Sequence, residues 1–164
     1  MKNIYLVRHA KSSWENRSIS DFDRTLNDRG KRDAPFMAES FKKKNLKIDR
    51  IISSPANRAL STAKIFAKEL DIPESQIILN EDIYDASMKD ILSVLTGTDD
   101  SINNIMLFGH NPGITYLSNY ICNFETDNMP TCGIMGMQMD FDSWKYIGNK
   151  TCSLKFFEYP KKYL

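Results

Sequence analysis

The sequence predicts an α/β protein whose sheet is mostly parallel, with some antiparallel pairing towards its end. Three observations lead there. Short apolar runs rich in strand-forming residues recur at 3–8, 48–54 and 102–109, with a weaker one at 76–80. Between them lie segments whose apolar residues repeat at three and four, the spacing of one helix face. After about residue 131 the pattern changes to two alternating stretches, and strand–helix alternation followed by a terminal hairpin is the signature of a mixed α/β sheet.

The elements follow in order. Ile4, Tyr5, Leu6 and Val7 form the first buried strand, which ends at Arg8. Asn27 is a plausible N-cap for a helix carrying Met37, Ala38 and Phe41. Pro35 lies inside that segment, so the expectation is a kink there or a later start. The clearest helix is 56–70, where Ala59, Leu60, Ala63, Phe66, Ala67 and Leu70 mark one face. Residues 87–96 and 113–122 give two more helices. Ile134, Met135, Met137, Met139 and Phe141, then Cys152, Leu154, Phe156 and Phe157, give the last two strands, with a turn near Gly148–Asn149. There is no internal repeat, Pro- or Ser-rich linker or low-complexity tract, so a single domain over 1–164 is expected.

Composition excludes several functions. Lys and Arg number 22 against 21 Asp and Glu, a net charge of +1, which gives no reason to expect nucleic-acid or membrane binding. Any anion must be held by a local cluster of cations. Arg8 interrupts the N-terminal apolar run before it reaches the ~7–15 residues of a secretory signal, and no run approaches the ~20 of a membrane span. Cys122, Cys132 and Cys152 are odd in number and widely spaced, and only two histidines are present. A disulfide framework or metal centre is therefore not expected. The expectation is a cytoplasmic protein needing no metal or other cofactor.

In parallel α/β sheets ligands bind beyond the carboxyl ends of the strands. Three predicted strands deliver chemistry at that rim. The first ends in Arg8-His9, followed by Ala10-Lys11-Ser12-Ser13; the second in Ser53-Ser54-Pro55, with Arg58 in the next helical turn; the 102–109 strand in Gly109-His110. Both histidines and two arginines thus converge, beside helix N-termini whose N–H groups favour anions. Each residue alone has an ordinary structural explanation. Together they describe a site suited to an anion.

These residues also carry a family resemblance. Leu6-Val7-Arg8-His9-Ala10-Lys11-Ser12 resembles the Arg-His-Gly motif of the histidine phosphatase superfamily, which includes the cofactor-dependent phosphoglycerate mutases. Ser54-Pro55-Ala56-Asn57-Arg58-Ala59-Leu60-Ser61-Thr62-Ala63 resembles its second motif, and Gly109-His110-Asn111-Pro112 its second-histidine motif. Arg8-His9-Ala10-Lys11-Ser12-Ser13-Trp14 and the stretch Asp21–Gly30 are similar to the small SixA-type phosphohistidine phosphatases. Ala10-Lys11 replaces the usual Gly-Glu of the mutases, and Glu15 stands near their usual Asn.

The resemblance implies a three-layer α/β/α, phosphoglycerate mutase-like fold with helices on both faces of a mixed sheet. It also implies that His9 takes the phosphoryl group as a phosphohistidine intermediate, with Arg8, Arg58 and His110 neutralising the equatorial oxygens. Ser12 and Lys11 are further phosphate-binding candidates. Glu81 and Asp21, with Asp85 as a third, are candidate general acids. Only 28 residues separate Glu81 from His110, too few for the large helical lid of mutase-type relatives, so an open pocket is expected. The implied substrate is a phosphorylated protein, such as one bearing phosphohistidine, or a small phosphate ester. Open alternatives are a small-molecule or phosphoserine/threonine phosphatase, and a non-catalytic phosphate-binding adaptor.

Overall fold

A computed structural model describes residues 1–163. Its strands are β1 (Lys2–Arg8), β2 (Arg50–Ser53), β3 (Ile77–Leu79), β4 (Asn104–Gly109), β5 (Ile134–Met139) and β6 (Ser153–Glu158). Its helices are α1 (Asp28–Lys42), α2 (Asn57–Glu69), α3 (Met88–Thr96) and α4 (Gly113–Ile121). The strands form one six-stranded sheet in the order β3-β2-β4-β1-β5-β6. β1, β2, β3 and β4 pair in parallel, whereas β5 is antiparallel to both β1 and β6. The antiparallel strand is therefore internal, one place in from the edge.

Strand alternation builds two cores. Ile4 and Leu6 of β1 and Ile105 and Leu107 of β4 pack with Ile91, Leu95, Ile114 and Leu117 of α3 and α4. Tyr5 and Val7 of β1 and Met106 and Phe108 of β4 face the other way, onto Met37, Phe41, Ala63 and Phe66 of α1 and α2. Successive side chains point to opposite faces of a strand, so continuous apolar runs mean a sheet covered on both sides. The three-layer α/β/α arrangement follows from that. Met135, Met137 and Met139 are buried and belong to the α3–α4 core.

Helix α1 starts where Asn27 caps it, its side chain accepting from the Gly30 N–H at 2.9 Å, and runs without a break through Pro35. The expected late start is thus absent. Pro35 faces solvent, so water can reach the Lys31 carbonyl that lacks its i+4 donor. Gly30 lets this helix lie directly on the loop after β1: a Cβ there would strike the Lys11 carbonyl oxygen. Helix α3 carries a full capping box between Ser87 and Asp90. Helices α2 and α4 have no side-chain N-cap bond. They are the two helices that open towards the expected site.

Among the described residues, no helix is long and apolar enough to cross a membrane, and no group of His, Cys, Asp and Glu is arranged to hold a metal. The three cysteines are free and buried.

Candidate active site

Strand order assembles the site. β4 lies between β1 and β2, so the residues that follow these strands emerge side by side. The His9 N–H bonds the Gly109 carbonyl at 3.1 Å, and the Ser54 N–H bonds the Phe108 carbonyl at 3.1 Å. His9, His110 and the start of α2 are thereby fixed to one rim. The loop after His9 is pinned further by Thr62, whose hydroxyl accepts from the Ala10 N–H at 3.0 Å and donates to the Arg58 carbonyl at 2.8 Å.

The rim encloses a cavity of about 440 Å³ lined by Arg8, His9, Lys11, Ser12, Arg58 and His110. Trp14, Asp21, Arg24, Asp85, Asn111 and Thr131 complete it. The cavity thus gathers most of the residues singled out from the sequence. Glu81 is not among them: it is exposed in the short turn Glu81–Ile83 and does not line the cavity. Asp21 and Asp85 do.

His9 is buried and held in one tautomer. Its Nδ1 lies 2.8 Å from the Ala10 carbonyl oxygen. A carbonyl can only accept, so Nδ1 carries the proton and Nε2 keeps its lone pair. Burial pushes the His9 pKa down to about 3; the Ala10 bond opposes this, and His110, Arg58 and Arg8 reinforce it. His110 packs beside it, with ring centroids 5.1 Å apart. Its pKa is lowered to about 4 by burial and by Arg58, against an opposing pull from Asp21. His110 Nε2 sits 2.7 Å from Ser54 Oγ, which also accepts from the Ala56 N–H at 3.2 Å.

The cations are anchored rather than loose. Arg8 Nη1 donates to the Met129 carbonyl at 2.9 Å. Arg58 Nη1 donates to the Asp21 carbonyl at 2.7 Å, and Nη2 to Asp21 Oδ2 at 3.1 Å. Arg24, which sequence reasoning passed over, is a third guanidinium in the cavity, buried like that of Arg58, whereas Arg8 is half-buried. It donates to Ser12 Oγ at 2.8 Å and Asp21 Oδ1 at 3.2 Å, and its guanidinium lies 3.4 Å from the Trp14 ring centroid. Ser12, accepting from Arg24, keeps its own hydroxyl proton for another acceptor. Tyr84, also missed, donates to Asp21 Oδ2 at 2.7 Å. The only sequence signal for Arg24 was its place within the Asp21–Gly30 stretch. Tyr84 had none.

A cavity with this many buried or half-buried cations and two neutral imidazoles suits a multiply charged oxyanion. Residues 4–91 match the family model of the histidine phosphatase superfamily, branch 1. The chain belongs to that superfamily. Its relatives include an uncharacterised chloroplastic protein of Arabidopsis thaliana, 29% identical over 88% of this chain and 69% of that one. Another is the phosphohistidine phosphatase SixA of Escherichia coli, 25% identical over 84% of this chain and 85% of its own length. Among solved structures, a SixA candidate from Agrobacterium tumefaciens superposes with a TM-score of 0.81 at 26% identity, covering 97% of this chain and 98% of that one. A protein histidine phosphatase SixA complexed with tungstate matches the fold with a TM-score of 0.82 at 21% identity, over 98% of both chains. The superfamily motifs at Arg8-His9 and Arg58 fall inside the matched region, and His110 lies beyond it.

The buried histidines make stability depend on pH. An unfolded imidazole takes a proton near pH 6.5, whereas His9 and His110 in the fold resist protonation down to about 3 and about 4. Between those limits the unfolded chain binds more protons, so stability is full above pH 6.5 and is lost as pH falls. The slope approaches about 1.4 kcal/mol per pH unit for each histidine. Denaturant unfolding between pH 7 and pH 5, above the range of most carboxylates, should show this decline. Replacing His110 by Asn should flatten it, and a wild-type stability that stays level across the window contradicts the assignment.

Proposed function

We propose that the protein is a phosphatase that hydrolyses phosphohistidine on a protein substrate through a phosphohistidine intermediate on His9. The observation that carries the reading is the His9 imidazole, with Nδ1–H tied to the Ala10 carbonyl and its Nε2 lone pair available among Arg8, Arg24 and Arg58. Membership of the superfamily and the similarity to SixA support phosphatase chemistry.

Two steps account for turnover. His9 Nε2 attacks phosphorus in line, forming a P–N bond as the bond to the leaving group breaks and its electron pair departs with that group. The Ala10 carbonyl stabilises the charge that develops on the ring through Nδ1–H. Water then attacks phosphorus, the Nε2–P bond breaks with its electron pair returning to Nε2, and the water's protons stay on the dihydrogen phosphate released. Phosphoryl transfer asks the protein chiefly for positioning and for neutralisation of the equatorial oxygens. Arg8, Arg58, His110, Ser12 and Lys11 surround the space where those oxygens would lie.

The substrate class rests on leaving-group chemistry and access. A protonated imidazole departs readily and needs little acid assistance, whereas an alkoxide must be protonated as it leaves. A second cavity of about 490 Å³ adjoins the first, sharing Trp14, Asp21 and Arg24 with it and extending the lined surface to Asn16, Arg17 and Ile19. A polypeptide fits that extension better than a small metabolite that must be enclosed. A panel of an N-phosphohistidine protein, an aryl phosphate, an alkyl phosphate and a sugar phosphate tests the reading. The phosphohistidine protein should exceed the alkyl phosphate in kcat/KM at neutral pH by about 100-fold or more. Faster cleavage of the alkyl or sugar phosphate assigns the site to small esters instead, and binding without turnover of any of them assigns it to a phosphate-binding adaptor.

A further inference from the structure

Asp21 accepts more polar contacts than any other group lining the cavity, and three roles compete for it: a proton donor, a plug displaced by phosphate, or a fixed counter-ion. We propose that Asp21 is a positioning residue whose carboxylate locks the Arg24 and Arg58 guanidiniums into a preset anion-binding pair. This goes beyond the proposed function and holds whichever phosphate the protein hydrolyses.

The contacts select among the three. Oδ2 accepts from Arg58 Nη2 at 3.1 Å and from the Tyr84 hydroxyl at 2.7 Å, and Oδ1 accepts from Arg24 Nε at 3.2 Å. The backbone carbonyl accepts from Arg58 Nη1 at 2.7 Å and from the Arg24 N–H at 3.3 Å. Both carboxylate oxygens are thus acceptors, which leaves no proton aimed at a leaving group. Burial pulls the Asp21 pKa up, but the Tyr84 bond and the charges of Arg58 and Arg24 outweigh it and leave the carboxyl below its ordinary value. A general acid needs the opposite tuning.

The plug role fails on a different ground. Asp21 opens the one-turn segment Asp21–Asp23, which Ser20 caps, and the neighbouring Phe22 packs edge-on against Tyr84 with ring centroids 5.1 Å apart. The backbone that carries Asp21 is thus held in place, and its carboxylate, though 49% exposed, is fixed by the three side-chain bonds above. A guanidinium has five N–H donors, and Asp21 takes two from Arg58 and one from Arg24, so both keep donors for phosphate. What Asp21 supplies is charge. Arg24 and Arg58 are 8% and 6% exposed, and burial and then the Arg58 charge disfavour the charged form of Arg24, so two like charges need an anion between them. Arg24 passes the order on to Ser12 and Trp14, and Tyr84 to His110, whose ring it meets edge-on with centroids 5.8 Å apart.

The test uses Asp21→Asn in the full chain, with tungstate binding measured by calorimetry and kcat and KM measured on an aryl and an alkyl phosphate. The expected result is tungstate binding weakened about tenfold or more, with kcat/KM lowered by a similar factor on both substrates. The loss falls mainly on KM, and the basic limb of the pH profile is unchanged. Tyr84→Phe, which removes one bond to the carboxylate and no charge, should give a smaller loss of the same kind. Two results overturn the proposal: a much steeper loss on the alkyl than on the aryl phosphate, which marks a proton donor, or tighter tungstate binding, which marks a plug. Unchanged tungstate binding in both variants overturns it as well.

Discussion

Replacing His9 by alanine is expected to lower kcat by at least about 10³-fold on every phosphate substrate, the scale of loss when a covalent nucleophile is removed. The ring is 7% exposed and supplies the one imidazole lone pair that the Ala10 bond defines. Water attacking directly would still find Arg8, Arg24, Arg58 and His110 around the phosphoryl group, so residual activity and anion binding should survive. Mass spectrometry of acid-sparing quenches should find phosphate on His9 in the wild type and none in the variant. Turnover of the variant at the wild-type rate would remove His9 from the mechanism. His9→Gln is the companion substitution, because it fills most of the space and separates lost chemistry from lost packing.

Arg58→Lys should lower kcat/KM by about 10²-fold although the charge is kept. The guanidinium uses one nitrogen for the Asp21 carbonyl and another for the Asp21 carboxylate, and it presents the remaining donors to the cavity. A single ammonium can serve one of these partners at a time. Its hydration shell is also tighter, and the site is nearly closed to water at this residue. The loss should appear in both kcat and KM, since the same fork orders the 21–24 turn and meets the anion. A drop of less than about threefold would mean that charge alone matters here. Steady-state kinetics on an aryl phosphate is sufficient to decide it.

Most of the fold was legible because burial on both faces of a sheet leaves a plain mark in sequence. Ile4–Val7 and Ile105–Phe108 are unbroken apolar runs, and α2 repeats its apolar residues cleanly. The start of α1 was harder, since Pro35 argues against a helix by its own chemistry. The exposed face of that helix tolerates it, and exposure is decided by what the helix packs on. In the site, His9, Arg8, Arg58 and His110 were readable because each follows a strand end within a recognisable motif. Arg24 and Tyr84 were not. Arg24 lines the cavity through a local contact with Asp21, three residues away, but follows no strand end; Tyr84 meets Asp21 from 63 residues away, and no local periodicity records such a meeting.

Sequence alone therefore determined the class of fold and the rim of the sheet where Arg8, His9, Arg58 and His110 meet. These depend on short-range features: strand runs, helix starts and the residues between them. Tertiary structure decided three further matters. Placing β4 between β1 and β2 set His110 between His9 and the Arg58 helix, which the order of elements along the chain does not dictate. The Ala10 carbonyl chose the tautomer of His9. The fold also brought Arg24, Arg58 and Tyr84 onto the carboxylate of Asp21, a residue that sequence offered as an acid. The reason is the same in each case. A side chain's residue type fixes what it can do, but its protonation and partners are set by neighbours that only the folded chain brings within a few ångströms.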